Sequence, residues 1–204
     1  MSIKEVPSPI DLRNPEDAVQ WAKEVNLKRP WRAQFFDYYA ELIQQHQMID
    51  ILDIGAGPGD LAKHLLARCP DIRYHAFDFS EAMHKLSRSK LPAHELDRAD
   101  YIVGDFKQLD WADTLQQYDL VIIHQALHEL RNKAYAQDFH STVKNKLLKA
   151  GAIYLVCDHL FADGAMTNHE LYMSKQEHLD NLQQAGFEIA IPMEIRGLCL
   201  FQCH

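Results

Sequence analysis

The sequence predicts an α/β fold: a doubly wound, mostly parallel sheet with a C-terminal antiparallel hairpin. Three observations predict it. From residue 48 on, short apolar runs alternate with stretches of helical spacing, the rhythm of strands joined by crossover helices. The runs are near-continuous rather than alternating, as in strands covered on both faces. Finally, Phe187, Ile189, Ile191, Met193 and Ile195 alternate up to Arg196–Gly197, and Leu198 to Cys203 follows as a returning strand.

Met1 to Leu12 reads as a proline-containing arm. Asn14 can cap a helix that Pro15 opens, with Asp17 near its positive end and Ala18, Trp21, Ala22 and Val25 on its apolar face. A second helix follows Pro30, with Phe35, Tyr38, Tyr39, Leu42 and His46 on one side. Met48 to Ile54 is the first strand. Leu61, Ala62, Leu65, Leu66 and Cys69 give the buried face of the next helix. Ile72 to Phe77 is a second strand, and Ser80 can cap the helix that ends near Leu91–Pro92. Tyr101 to Val103, Asp119 to Ile123 and Ala152 to Cys157 are three more strands. Before the last of them, Tyr135, Phe139, Val143 and Leu147 step along one helix. Ser174 with Glu177 makes a capping-box signature, and Gly186 can close that helix.

The chain has 204 residues, enough for one core but too few for two full domains. Residues 1–46 are expected to form an arm and helices that pack on or cover the site. Residues 47–204 are the domain that carries it, in one compact whole. With 29 acidic against 21 basic residues the formal charge is −8, which disfavours nucleic acid as a partner. No apolar run reaches a bilayer-spanning length, and no basic start precedes an apolar stretch. The four cysteines form no CxxC pair and are expected as reduced thiols, in keeping with a cytoplasmic location.

The segment Ile51-Leu52-Asp53-Ile54-Gly55-Ala56-Gly57-Pro58-Gly59-Asp60 lies where the first strand meets the first crossover helix. Glycines there let backbone approach a ligand closely. A dinucleotide fingerprint needs a glycine where Asp60 stands, and a carboxylate there repels pyrophosphate. Asp53 suits a cation. S-adenosylmethionine carries an ammonium and a sulfonium and no phosphate, so the pattern favours it over NAD. Asp78, ending the second strand, can accept two ribose hydroxyls, and Asp105 after Gly104 can accept an adenine amino group. All three acids fall at the carboxyl edge of the sheet, where ligands of such folds bind.

With these acids, the segment from Ile51 to Asp60 resembles the class I S-adenosylmethionine-dependent methyltransferases, over a stretch from about residue 30 onward. Leu147-Leu148-Lys149-Ala150-Gly151-Ala152 is similar to the turn before that family's fifth strand. Leu171 to Phe187 is similar to the segment leading to its sixth. The resemblance implies a Rossmann-like sheet of seven strands with the last antiparallel, and S-adenosylmethionine as cofactor. It implies Asp53, Gly55, Ala56, Gly57, Asp78, Phe79, Met83, Gly104, Asp105, Phe106 and His124 around the cofactor. Apart from the resemblance, the Arg32 guanidinium, near the glycine loop, could pair with the cofactor's carboxylate.

The acceptor side is expected from the loops after the fourth and fifth strands, which supply Gln125, His128, Asp158 and His159. Imidazole titrates near neutrality, so a pocket histidine is a natural base. Ala126-Leu127-His128-Glu129 resembles the Leu-His-Asp of small-molecule O-methyltransferases, which implies His128 as the general base and oxygen as the favoured acceptor atom. A metal is not expected: Asn132 and Met173 stand where an HExxH helix needs its second histidine. Two other readings remain open at this point, a nucleotide-dependent oxidoreductase and a non-catalytic cofactor-binding regulator. Oligomeric state and the identity of the acceptor are not legible.

Overall fold

A computed structural model describes residues 3–162 and 166–204, so Met1 and Ser2 of the expected arm lie outside the described residues. The chain carries the seven-stranded, mostly parallel sheet and the C-terminal antiparallel hairpin that the sequence predicts. Its residues divide into two compact units, one of residues 9–105 and the other of residues 106–204 with the arm segment 3–8.

The first unit opens with α1 (Pro15–Lys28), capped by Asn14, whose Oδ1 accepts the Glu16 N–H at 2.8 Å. α2 (Arg32–His46) follows and ends on Gln47 in the left-handed region, φ 52°. Its buried stripe is Arg32, Phe35, Phe36, Tyr39, Ala40, Leu42 and Ile43. Phe36 and Ile43 thus replace Tyr38 and His46 of the expected face. Tyr38 is half-buried and His46, in the last turn, is exposed. Then come β1 (Asp50–Ile54), α3 (Asp60–Arg68), β2 (Arg73–Asp78), α4 (Glu81–Ser89), the single turn α5 (Ala93–Leu96) and β3 (Ala99–Val103). β1 starts two residues later than expected: Met48 is buried but Ile49 is half exposed, so the apolar run outlasts the strand. Ser80 caps α4 by accepting the Met83 N–H at 3.1 Å. β3, β2 and β1 pair in that order, all parallel.

The second unit begins with β4 (Tyr118–His124), followed by 3-10 turns at Leu127–Leu130 and Lys133–Tyr135. The expected helix through Leu147 is broken into the second of these turns, α6 (Ala136–Thr142) and a π turn at Val143–Leu147. Phe139, Val143 and Leu147 are buried as their spacing demands. β5 (Leu148–His159) starts earlier than expected and absorbs the supposed turn as an irregularity. Its register to β4 shifts between Tyr118↔Leu148 and Leu120↔Ile153, with Gly151 at φ 76°. Such a bulge keeps the strand going while bending it. α7 (Lys175–Gln184) carries the complete Ser174–Glu177 capping box. β6 (Ile189–Ile195) and β7 (Leu198–Cys203) make the hairpin, turned by Arg196 and Gly197 at φ 50° and 76°. Positive φ at both central residues matches the twist of paired strands. The order is β4, β5, β7, β6, with β7 antiparallel to both neighbours.

Candidate functional site

The unit of residues 9–105 builds a glycine cradle. Gly55, Gly57 and Gly59 stand at φ 72°, 55° and 79°, a region that costs other residues about 1–2 kcal/mol. The loop is folded back on β2: the Gly55 and Ala56 N–H groups both donate to the Phe77 carbonyl, at 2.8 and 3.2 Å. The glycines do different work. A Cβ on Gly59 would sit 2.0 Å from Ser87 Oγ and 2.8 Å from its Cα, so α4 passes too close for a side chain. A Cβ on Gly57 would meet nothing closer than Gly55 O at 4.0 Å. Space is therefore kept open in front of Gly57.

Asp78 faces that loop. Its Oδ2 accepts the Gly57 N–H at 2.8 Å and its Oδ1 accepts the Ser80 N–H at 2.9 Å, which orients the carboxylate at the end of β2. The next loop is tied in by the Gly104 N–H, which donates to Asp78 O at 3.0 Å and presents Asp105 beyond β3. Gly104 has no room for a side chain, because a Cβ would lie 2.5 Å from the Phe77 ring. Asp53, 2 % exposed, accepts a hydrogen bond from the Tyr74 hydroxyl. Burial pushes its carboxyl up to about 7. The Tyr74 bond and the Arg32 charge oppose this and the Asp78 charge adds to it. Removing a carboxylate from water disfavours its charge, so Asp53 is poised to gain from a cation. Arg32 is buried, with its guanidinium over the Phe36 ring and Nη1 3.8 Å from Asp60. Asp60 also pairs with Lys90. Its charge is thus offset, and the repulsion of a phosphate invoked from the sequence is weaker than the residue type implies. Phe79 is half-buried under Arg13, and Met83 is 1 % exposed.

The other unit holds the expected acceptor residues. His124 ends β4 opposite Cys157 and is buried. Gln125 turns the chain with φ 56°, its N–H donating to Cys157 O at 2.7 Å. The next turn brings His128 onto Asp158 of β5. The Asp158 carboxylate lies 2.8 and 3.1 Å from His128 Nδ1, and its Oδ2 accepts the His128 N–H at 2.9 Å. Burial alone would raise the Asp158 pKa, but the charge and hydrogen bond of His128, with the neighbouring His159, hold it well below the usual carboxylate range. His159 anchors its N–H on Asp158 Oδ1 at 2.7 Å, and its Nε2 meets Gln125 Nε2 at 2.7 Å. Gln125, His128, Asp158 and His159 are therefore one polar network. Phe106 is packed edge-on against Phe139, which stacks on Trp111.

Several residues of these surroundings escaped the sequence. Tyr74 on Asp53, Lys90 on Asp60 and Arg13 on Phe79 carry no motif. Tyr172 lies 5.2 Å from the His128 ring and 6.3 Å from that of His159. Only long-range folding brings it there. Among the described residues no group of three or more histidine, cysteine, aspartate or glutamate side chains is arranged to hold a metal. No helix among them is long and apolar enough to cross a membrane.

Residues 51–149 match the family described as "Methyltransferase domain". Over 178 residues, 76 % of this chain, it is 32 % identical to the non-reducing polyketide synthase nvfA of Aspergillus novofumigatus, of which that stretch is 8 %. It is 33 % identical over 129 residues to a malonyl-[acyl-carrier protein] O-methyltransferase of Acetivibrio thermocellus, covering 62 % of this chain and 40 % of that one. The chain spans less than half the length of the curated relatives it matches. Among solved structures, "PigF with SAH" superposes with a TM-score of 0.73 at 20 % identity, covering 94 % of this chain and 60 % of that one. Human N-acetylserotonin methyltransferase in complex with SAM gives 0.71 at 17 %, covering 95 % and 57 %. These structural likenesses are of fold. Together these likenesses support a class I S-adenosylmethionine-dependent methyltransferase as what the chain is similar to.

Proposed function

We propose that this chain is an enzyme that methylates a small-molecule acceptor on oxygen, using S-adenosylmethionine, with His128 as the general base. The observation that carries the reading is the His128–Asp158 pair. A buried carboxylate on Nδ1 fixes the tautomer and turns Nε2 into the proton acceptor. His128 Nε2 would take the proton of the acceptor hydroxyl as that oxygen is methylated, with the methyl group supplied by S-adenosylmethionine. Gln125 and His159 line the acceptor side with the pair.

S-adenosylmethionine fits the first unit on that unit's own features, the open space before Gly57 and the poised acids. When bound it supplies an electrophilic methyl group. Asp78 would take the ribose hydroxyls, Asp53 the ammonium, Arg32 the carboxylate and Asp105 the adenine amine, with Gly55, Ala56, Gly57, Phe79 and Gly104 shaping the cradle. Four free, buried cysteines suit a reducing, cytoplasmic setting.

The test is transfer of labelled methyl from S-adenosylmethionine to a panel of phenols, enols, carboxylic acids and amines. The reading expects label on oxygen and a rate that falls with acid on the limb where an imidazole protonates. Label on nitrogen or carbon alone, or no transfer at all despite S-adenosylhomocysteine binding, overturns it.

A further inference from the structure

The turn that carries His128 is bound to the arm segment 3–8 through one residue. Arg131 ends the Leu127–Leu130 turn in the left-handed region, φ 62°, and is 7 % exposed. Its Nε donates to Val6 O at 2.8 Å and its Nη2 to Pro7 O at 2.7 Å, while the Val6 N–H donates back to Arg131 O at 2.8 Å. Asn132 Nδ2 donates to Lys4 O at 3.0 Å, and Lys107 pairs with Glu5 at 2.8 Å. A non-glycine residue with positive φ is strained and persists only where its surroundings over-determine it. The remaining guanidinium nitrogen, Nη1, lies 3.3 and 3.4 Å from the two Glu129 oxygens. Glu129 Oε1 lies 3.6 Å from His128 Nε2. One guanidinium therefore joins the arm to the carboxylate beside the nitrogen that would work as the base.

We propose that Arg131 is a positioning residue: clamped to the 3–8 strap, it holds the Glu129 carboxylate and offsets its charge beside His128 Nε2. The inference rests on His128 acting as the base. The physical reason is that the two His128 nitrogens face two carboxylates, Asp158 on Nδ1 and Glu129 on Nε2. An anion without a counter-charge at Nε2 stabilises the imidazolium, which would hold the proton that the base must be free to accept. The guanidinium fork answers that charge, and its other two nitrogens make the answer conditional on the strap being docked. The other groups around His128 are His159, Tyr172 and His178, with Lys133 already bound to Glu177. None of them binds the strap through Arg131.

The experiment uses the full chain without added ligand and follows two signals by NMR: hydrogen exchange at the Val6 amide and titration of the His128 ring. Arg131→Gln should speed Val6 exchange at least about tenfold and move the His128 pKa up by about half a unit, the size of one uncompensated charge several ångströms away in water-like dielectric. Adding Glu129→Gln should cancel that shift. Arg131→Lys keeps the charge but not the fork. It should speed Val6 exchange with a smaller shift, and it carries the test if Arg131→Gln fails to fold. Unchanged Val6 exchange in both variants, or a His128 titration indifferent to Arg131 and Glu129 alike, overturns the proposal. His128→Ala is the separate check on the base. If it keeps full turnover while the Val6 and His128 signals couple as stated, the base reading falls and the strap linkage stands without a catalytic role.

Discussion

The two units of the chain build their candidate sites by different means. In residues 9–105 the backbone does most of it: three glycines at positive φ, N–H groups folded back onto the end of β2, and one carboxylate tied to two N–H groups. In residues 106–204 side chains do it: an imidazole on a buried carboxylate, an amide on a second imidazole, a guanidinium on a carboxylate and a strap. Under the proposed function, a backbone cradle suits a cofactor that is always the same, and a side-chain network, alterable residue by residue, suits the half assigned to the acceptor.

The sharpest way to break this division is a crossed pair of variants. His128→Ala should lower turnover by about a hundredfold to ten-thousandfold, the usual cost of a positioned base, while S-adenosylhomocysteine affinity by calorimetry stays within about twofold. Asp78→Ala should do the reverse for binding, weakening it by roughly 1.5–3 kcal/mol, or about ten- to a hundredfold. If His128→Ala costs binding as much as rate, the division of labour fails.

Gly57 and Gly59 sharpen it further. Gly59→Ala forces a Cβ onto Ser87 and should lower the unfolding free energy by about 1–3 kcal/mol or more in a urea titration. Gly57→Ala faces open space and should cost only the left-handed strain of about 1–2 kcal/mol, yet lose S-adenosylhomocysteine binding. Equal stability losses with normal binding would make both glycines mere turn formers.

A subtler difference lies in pH. Asp53 in the first unit is raised to about 7, so it binds a proton more tightly folded than unfolded. If it meets the cofactor's ammonium as an anion, that proton must leave. Affinity for S-adenosylhomocysteine should then fall as pH drops below 7, by at most about tenfold per unit, with proton release seen by calorimetry in buffers of different ionisation enthalpy. Affinity flat from pH 8 to 5.5 would remove Asp53 from the ammonium site. In the second unit His178 is pushed down to about 4 and His140 to about 3, chiefly by burial. Unfolded, both take up a proton near pH 6.5, so their neutral burial supports the fold above that pH. The support is lost progressively as pH falls towards 4. His178, stacked on Phe201, is replaceable by a ring of similar shape. His178→Phe should therefore shrink the fall in Tm between pH 7 and pH 5 by a few degrees in a calorimetric scan. An unchanged slope would show that His178 does not contribute.

The sequence by itself determined the parts of this protein that follow from local rules. Periodicity gave the strands, caps gave helix starts at Asn14, Ser80 and Ser174, and glycine spacing gave the cradle, because each depends on neighbours within a few residues. It misplaced elements where an apolar run outlasts its strand, at Met48 and Ile49, or where packing retunes a helix into a π turn at Val143–Leu147. Long-range packing alone decided that Asp158 seats His128, that the Tyr74 hydroxyl donates to Asp53, that Lys90 offsets Asp60, and that Arg131 clamps the strap. Those partners lie between 21 and 125 residues apart in the chain. No local pattern marks them, because such contacts are set by which strand ends and turns the folded sheet brings side by side.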